Sequence, residues 1–349
     1  MTDTLPADTV PASTLPAAAL TEAFDLGRWG ETVLLPAGKS QHHFLTTDRG
    51  RFVLRRSYRA KEADAVRFEH ELVGHLRAHG FPGPEFVPTR SGEPSAVVDG
   101  RLWRVARFVS GTAAQADRPA HVEAVAAALA RYHRLVETFT ATVPVPHVER
   151  LSASLRQRLQ EVVDARRRRN GAPLEADQAD SLAYALAEGE RVSARLAALD
   201  GELPLTLIHG GCRRGSALFD GDRLAAVIDF DSAHTEVRAY DLAVAVHDFA
   251  KIYGEPGTAD FKVHLDPDVA ARFVAAYHTS APVAAAEVEA IPLILKAKRL
   301  KRALGRHARL LSGEPLSVND HNKIVLELAR VRSLSERDGL APALSAVLR

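Results

Sequence analysis

The sequence is short of cysteine, of net charge and of long apolar runs, and each shortage excludes a class of protein. Cys212 is the one cysteine of the chain, so neither an internal disulfide nor a cysteine-based metal site can form, which fits a reducing cytoplasm. The formal net charge is only +1, whereas a nucleic-acid-binding surface needs a marked basic excess. No stretch reaches the roughly 18 consecutive apolar residues of a membrane span, and no basic segment precedes the first apolar residues as in a secretory signal. We therefore expect a cytoplasmic protein that binds neither nucleic acid nor membrane.

Length and patterning predict two lobes of different structure. A single core stops growing at roughly 250–300 residues, and this chain is longer. Residues 1–20 are rich in Ala, Pro and Thr, which predicts a disordered tail. Residues 21–111 contain β-type runs, a helical repeat over 61–79 and further β-type runs, which predicts a small N-lobe of sheet plus helix. Residues 112–349 are predicted to form a larger, mainly helical C-lobe, so the fold class is α+β.

One predicted helix of the C-lobe, over residues 285–311, carries many basic side chains. They are Lys296, Lys298, Arg299, Lys301, Arg302, Arg306 and Arg309. Leucines at helical spacing among them favour a packed helix with one charged face. The alternative is a site for a substrate phosphate or for an acidic partner.

The residues that carry chemical information lie between 206 and 243. A predicted strand ends at His209-Gly210, and a loop through Gly211-Cys212-Arg213-Arg214-Gly215-Ser216 leads to a strand–turn–strand that ends in Asp229-Phe230-Asp231. In order and spacing these segments, with the trailing Tyr240-Asp241-Leu242-Ala243, resemble the catalytic core of the aminoglycoside phosphotransferase and choline kinase-like family. The resemblance extends over roughly residues 30–310. It implies the bilobal protein kinase-like fold, with a small β-rich N-lobe and a large helical C-lobe.

The sequence departs from the family pattern at two positions that matter for catalysis. The catalytic Asp of the family falls on Gly211, and the metal-binding Asn falls on Ser216. In kinase-type transfer the Asp orients the substrate hydroxyl and the Asn helps to hold Mg²⁺. Glycine can do neither, and a serine hydroxyl is a weaker metal ligand. Loss of general-base assistance typically costs about 10²–10⁴-fold in rate, which need not abolish transfer.

The resemblance also assigns roles to residues that the sequence retains. Asp229 would bridge Mg²⁺ to the β- and γ-phosphates, and Asp231 is a candidate second ligand or replacement acid. Arg213 would meet the γ-phosphate or an anionic substrate, the alternative being a solvated side chain. Cys212 is interpreted as a small loop side chain because no His–Asp relay is evident. The alternative is a nucleophile. His209 is expected to be buried and structural.

The N-lobe fits the family more loosely. Arg55 stands where the family has a Lys that neutralises the nucleotide α- and β-phosphates, and Arg is a chemically tolerable replacement. Glu71, on the next predicted helix, resembles the ion-pair partner of that residue. Ser40 belongs to the segment 37–41 at the position of the nucleotide loop, and Phe108 belongs to a segment that resembles the hinge at the adenine edge. Plain surface charge is the alternative for Arg55 and Glu71.

Three hypotheses about function follow. The first is an enzyme, a non-canonical or impaired O-phosphotransferase that uses ATP or GTP with Mg²⁺ on a hydroxyl of a small molecule or peptide. The second is a pseudokinase, which keeps the cleft to bind a nucleotide, a metabolite or a partner such as an enzyme of the same pathway. The third is a kinase-fold cleft repurposed for other chemistry.

Overall fold

The computed structural model describes residues 15–35, 40–57, 63–169, 174–254, 264–314, 316–336 and 339–349. Their first part contains α1 (Ala17–Phe24), β1 (Trp29–Leu35), β2 (Ser40–Thr47), β3 (Gly50–Ser57), α2 (Ala63–Ala78), β4 (Phe86–Val87), β5 (Ala96–Val98), β6 (Arg101–Arg107) and β7 (Thr112–Ala113). Three helices and four strands follow: α3 (Pro119–Leu135), α4 (Leu151–Arg168), α5 (Ala176–Leu199), β8 (Leu205–Ile208), β9 (Ala217–Asp220), β10 (Arg223–Val227) and β11 (His234–Val237). The last elements are α6 (Ala239–Ala250), α7 (Pro267–Ser280), α8 (Ala285–Leu311), α9 (Val318–Glu336) and α10 (Leu340–Ala346).

These elements form two compact units. The sheet unit comprises the described residues within 1–114, 138–146 and 215–233. The helical unit comprises those within 115–137, 147–214 and 234–349. None of the helices in the described ranges combines the length and the low polarity needed to cross a bilayer.

The sheet unit is built on an antiparallel sheet with strand order β1-β2-β3-β6-β4, in which β5 also pairs with β6. Side chains alternate between the two faces of a strand, and this alternation separates core from cavity. Phe52 and Leu54 of β3, with Trp103 and Val105 of β6, belong to the apolar core, which also includes residues of α1. The intervening residues of the same strands point to the opposite face.

The two-unit division corrects the predicted domain boundaries. The predicted N-lobe ended at residue 111, close to Ala114, but residues 215–233 belong to the sheet unit and not to the helical one. The reason is strand pairing, because β9 pairs with β7 and with β10 in a second, three-stranded sheet. In addition, the backbone N–H of Val227 donates to the carbonyl of Pro82 at 2.7 Å.

The predicted disordered tail, residues 1–20, is also corrected in part. Residues 17–20 lie in α1, where Leu20 and Phe24, four positions apart on one helix face, are buried. Alanine is the strongest helix former, so an Ala-rich segment with two such anchors folds onto the sheet. Residues 1–14 lie outside the described ranges.

The helical unit is organised around α8. This helix of 27 residues packs against α4, α5, α6, α9 and α10. Its buried positions recur at helical spacing, as expected of a helix covered on several sides: Ala290, Ile291, Ile294, Leu295, Ala297, Leu300, Ala303 and Leu304. The pair β8–β11 lies in the same unit, and its strands carry the chain into and out of the segment that contains the motif residues.

Candidate functional site

The sheet unit contains a cavity of about 400 Å³ on the face of the sheet opposite the core. Its walls are largely apolar and include Leu35, Val53, Phe86, Leu218 and Ile228. Ligand pockets typically combine such walls with a few convergent polar groups that fix orientation. The charged or titratable residues that line this cavity are His42, Arg55, Glu69, Arg104, Arg107 and Asp229, of which Arg107 pairs with Glu85.

Three of the polar side chains form a row across neighbouring strands. His42 of β2 pairs in register with Arg55 of β3, and Arg55 pairs with Arg104 of β6. Directly paired residues share a face of the sheet, so all three point the same way. Burial first, and then the charges of Arg55 and Arg104, lower the pKa of His42 to about 4, so its ring is neutral near pH 7.

Two like charges directly opposite each other are destabilising unless anions compensate them. Arg104 is paired with Glu69 of α2, and both side chains are almost fully buried. Arg55 is paired with Asp231, and its Nη1 lies 3.8 Å from Oδ1 of Asp229. The positive charges of Arg55 and Arg104 are therefore balanced by carboxylates of the same unit.

Several donors of this row still lack an acceptor. Nε and Nη2 of Arg104, Nε of Arg55 and Nε2 of His42 are buried and have no hydrogen-bond partner among the described residues. Buried polar atoms are nearly always hydrogen-bonded, so these guanidinium N–H groups are available to acceptors supplied by a ligand or by water. Nucleotide phosphates are rich in acceptor oxygens and pair bidentately with guanidinium groups, so this donor set fits them.

Asp229 is placed as a metal ligand would be. Strand β10 ends at Val227, and Asp229 adopts φ of 73°, a left-handed conformation that few non-glycine residues take. Its carboxylate is 57% exposed and borders the cavity. Mg²⁺ is typically held by one or two carboxylates together with substrate phosphates, and Asp229 can supply one of them. Asp231 is 21% exposed and engaged by Arg55.

The predicted ion pair between Arg55 and Glu71 is corrected by the structure. Side chains two residues apart on a helix point in roughly opposite directions. In α2 it is Glu69 that points to the cavity. Glu71 instead accepts a hydrogen bond from the backbone N–H of Thr142 at 2.8 Å. Arg55 finds its carboxylates in Asp231 and Asp229.

The remaining predicted residues of the sheet unit have different surroundings. Phe108 borders the cavity and packs edge-on against Phe44 with ring centroids 4.8 Å apart. Ser216 is buried, and its carbonyl accepts from the N–H of Ile228 at 2.8 Å, which ties it to the strand that leads to Asp229. Ser40 begins β2 opposite Ser57, but its side chain and residues 37–39 lie outside the described part of the chain.

In the helical unit, two carboxylates of α6 hold the segment 209–214 at its ends. The fully buried Asp241 accepts from the backbone N–H groups of His209 at 2.7 Å and Gly210 at 2.9 Å. Asp248, two helical turns later on the same face, accepts from the N–H of Arg214 at 3.0 Å. The path of the loop backbone is thus defined without any contribution from the side chain at 211.

Asp241 is itself held by a buried network. Its carboxylate lies 3.2 Å from Nε2 of His133, and Nδ1 of that ring lies 2.7 Å from the hydroxyl of Tyr277. Burial alone raises the pKa of Asp241, but the hydrogen bond and charge of His133, with those of His209, hold it below its ordinary value. The anion that anchors the loop therefore stays ionised at neutral pH.

Gly211 leaves space where the family has a carboxylate. A Cβ atom built at this position would meet only Nδ1 of His209, at 3.9 Å, which is ordinary van der Waals contact. Unlike Gly210, whose φ is 76°, Gly211 does not have a left-handed backbone. The local fold therefore tolerates a side chain at 211, and the glycine is not required by backbone geometry.

The other side chains of the loop differ in burial and in their contacts. Cys212 is buried, and burial, reinforced by the charges of Asp241 and Asp248, raises the pKa of its thiol well above the ordinary value. It is therefore a packed side chain and not a thiolate nucleophile. Arg214 is tied to Asp248 and to the hydroxyl of Tyr253, whereas Arg213 is exposed.

Comparison with known proteins agrees with this geometry. The profile of the phosphotransferase enzyme family (APH) matches residues 32–317, so the chain belongs to this family. The homoserine kinase of Methylobacterium radiotolerans is 29% identical, over 79% of this chain and 79% of its own length. The homoserine kinase of Pseudomonas aeruginosa is 28% identical, over 89% of this chain and 92% of its own.

Solved structures confirm the predicted α+β, protein kinase-like fold. An aminoglycoside phosphotransferase from Alicyclobacillus acidocaldarius covers 96% of this chain and 96% of its own, with a TM-score of 0.69 at 17% identity. Amicoumacin kinase, solved in complex with AMP-PNP and Ca²⁺, covers 94% of each chain with a TM-score of 0.65 at 13% identity. The resemblance to the aminoglycoside phosphotransferase and choline kinase-like family is confirmed.

Sequence reasoning missed His42, Glu69 and Arg104. A signal for two of them was present, because a hairpin places His42 opposite Arg55 once its register is known. Arg104 lies at the centre of β6, between the buried Trp103 and Val105, where a charged residue needs a partner. Glu69 supplies that partner and is buried with it.

Replacing Asp241 by Asn should destabilise the protein by about 2–4 kcal/mol, because a buried acceptor of three hydrogen bonds loses its charge. Since the folded-state pKa of Asp241 is depressed, its contribution is present above the unfolded pKa of about 3.9 and is lost as pH falls through the folded value. Denaturant unfolding at pH 7 and at low pH measures both effects. Asp248→Asn, at a partly exposed site, is the control, and an equal cost for the two variants would contradict the assignment.

The thiol of Cys212 should not react with Ellman's reagent in the native protein at pH 8, since it is both buried and protonated. In denaturant it should react fully. A Cys212→Ser variant supplies the blank. Fast labelling of the native protein would revive the nucleophile hypothesis.

Proposed function

We propose that this chain is a phosphotransferase that binds ATP or GTP with Mg²⁺ in the cavity of the sheet unit and transfers the γ-phosphoryl group to a hydroxyl of a small molecule. Its rate is lowered by the missing carboxylate at Gly211. The observation that carries the proposal is the balanced set of charges in the cavity, in which two guanidinium groups and an exposed carboxylate converge between apolar walls. A hydroxyl-bearing peptide is a further acceptor to test.

The residues present suit the demands of phosphoryl transfer. The transition state is loose, so catalysis depends mainly on positioning and on neutralising phosphate charge. Arg55 and Arg104 provide that neutralisation. The apolar walls and the segment 106–109 provide room for the nucleobase. Asp229 would hold Mg²⁺, which would offset the charge of the phosphates. Asp231 would be released from Arg55 when the phosphates arrive.

The absence of a base at 211 lowers the rate but leaves these contributions in place. General-base assistance is worth about 10²–10⁴-fold, or roughly 3–5 kcal/mol of barrier. The family is represented among the relatives of this chain by homoserine kinases. Homoserine, an amino acid with a terminal hydroxyl, is therefore the first acceptor to test.

The same glycine favours a second candidate function, a nucleotide-binding pseudokinase without turnover. The loop backbone is fully supported by Asp241 and Asp248 although position 211 carries no side chain. A scaffold retained without its reactive group is what a binding module requires. Turnover measurements decide between the two candidates.

Arg55→Met should weaken binding of the Mg²⁺ complexes of ATP and GTP at least about tenfold, because a charge-assisted contact to phosphate is lost. Arg56→Met is the matched control, since the neighbouring residue points to the opposite face of the same strand. Asp229→Asn should remove the dependence of binding on Mg²⁺. Calorimetric titration measures all four proteins, and a wild type that binds no nucleotide would end the proposal.

Gly211→Asp should raise the rate of phosphoryl transfer to homoserine, or of nucleotide hydrolysis, by up to about 10²–10⁴-fold. The space around position 211 admits the side chain. Gly211→Asn has the same size without a basic carboxylate and should give no such gain. Turnover that appears only in the Asp variant supports the pseudokinase, and equal rates in the Asp and Asn variants would show that position 211 does not act on the hydroxyl.

A further inference from the structure

The basic side chains of α8 are not equivalent. Most of them are paired with carboxylates of the helical unit, as a solvated or structural charged face requires. These pairs are Lys296–Glu188, Arg299–Glu327, Arg302–Glu327, Arg306–Asp320 and Arg309–Glu314. The packed-helix interpretation of this segment accounts for all five. Lys298 and Lys301 have no carboxylate partner among the described residues, and Lys298 lies against the ring of Tyr240.

Lys298 is partly buried and has no carboxylate partner in the described ranges. Its Nζ donates to the hydroxyl of Tyr240 and lies 3.9 Å from the centroid of that ring. The charges around it are mostly positive, from Arg213, Arg299 and Arg302. The neighbouring anion, Asp241, already accepts three hydrogen bonds from other groups.

A buried ammonium among guanidinium groups is energetically costly. Burial first, and then the charges of Arg302, Arg213 and Arg299, lower the pKa of Lys298 to about 7, which reflects this cost. Proteins concentrate such perturbed groups at functional sites. An anion bound at this place would remove the repulsion and restore the ammonium form.

The surroundings of Lys298 also include the loop segment 209–214. Arg213 is exposed and follows Gly211 by two residues, in the segment whose ends are held by α6. Tyr240 precedes the anchoring Asp241 in the first turn of the same helix. Arg213 interacts electrostatically with both Lys298 and Tyr240, so the loop, helix α6 and helix α8 each contribute one donor to this electropositive part of the helical unit.

We propose that Lys298, Tyr240 and Arg213 form a binding site for an oxyanion, a carboxylate or phosphate group, carried by the molecule that accepts the phosphoryl group. The inference rests on the proposed function and narrows its substrate class to small hydroxy acids or phosphorylated alcohols. An ammonium, a phenol and a guanidinium offer the charge-assisted donors that such a group needs. The anion would fix the orientation of the acceptor, and Lys298 would act as a positioning residue.

The test measures binding to the full-length protein without nucleotide. The probes are 4-hydroxybutanoate, its amide and inorganic phosphate, with calorimetry as the readout. Wild type should bind the acid on the order of tenfold more tightly than the amide, as expected for a charged hydrogen-bonded contact. Lys298→Met should abolish this preference, Lys298→Arg should keep most of it, and Lys301→Met on the same helix should not alter it.

Two further readings separate the possible results. Lys298→Met should leave the protein as stable as wild type or more stable in thermal unfolding, because it removes a partly buried charge that has no carboxylate partner. If this variant does not fold, Lys298→Arg is compared with Tyr240→Phe instead. Tight phosphate binding with no preference between acid and amide identifies the anion as a phosphate group. No binding of acid or phosphate to wild type, or the same preference in Lys298→Met, overturns the proposal.

The result is independent of the nucleotide site. If the acid binds through Lys298 but no nucleotide binds, the proposed phosphotransferase function fails and the anion site stands. If nucleotide binds and the acid does not, the anion site fails alone.

Discussion

The helical unit depends on one buried anion. Asp241 joins two backbone N–H groups of the motif loop to His133, and through that ring to Tyr277, so three elements share one carboxylate. Because it lies at the start of α6, the same helix can place Asp248 at the other end of the loop. The backbone of the loop is therefore held at both ends by carboxylates of α6, without any contribution from a side chain at 211.

The sheet unit obeys a different constraint, the alternation of side chains along a strand. Phe52 and Leu54 face the core, and this fixes Arg55 on the cavity side. The in-register partner of Arg55 on β6 is Arg104, so a second positive charge lies at the cavity. Glu69 of α2 compensates that charge. A single substitution in this row therefore alters the electrostatics of every neighbour.

The motif order and the α+β class could be predicted from the sequence, because strand alternation and the spacing from His209 to Asp229 are local properties. The partners of the two arginines could not be, since only packing decides that Glu69 of α2 turns inward to Arg104 and that Arg55 pairs with Asp231 and Asp229. The strand pairing that draws residues 215–233 into the sheet unit is equally non-local. The sequence shows seven basic residues along α8 but not which of them have carboxylate partners. The structure pairs five of them and leaves Lys298 and Lys301 without such a partner among the described residues.

The pairing of Arg55 with Asp231 has a consequence for what can enter the cavity. The site carries its own counter-ion, so a simple anion must compete with a tethered carboxylate whose effective concentration is high. A metal–triphosphate complex has an advantage that free phosphate or chloride lacks, because it brings a cation to the acidic side and an anion to the basic side at once. Under the proposed function, selectivity for such a complex would arise from an exchange of partners at Arg55, Asp229 and Asp231.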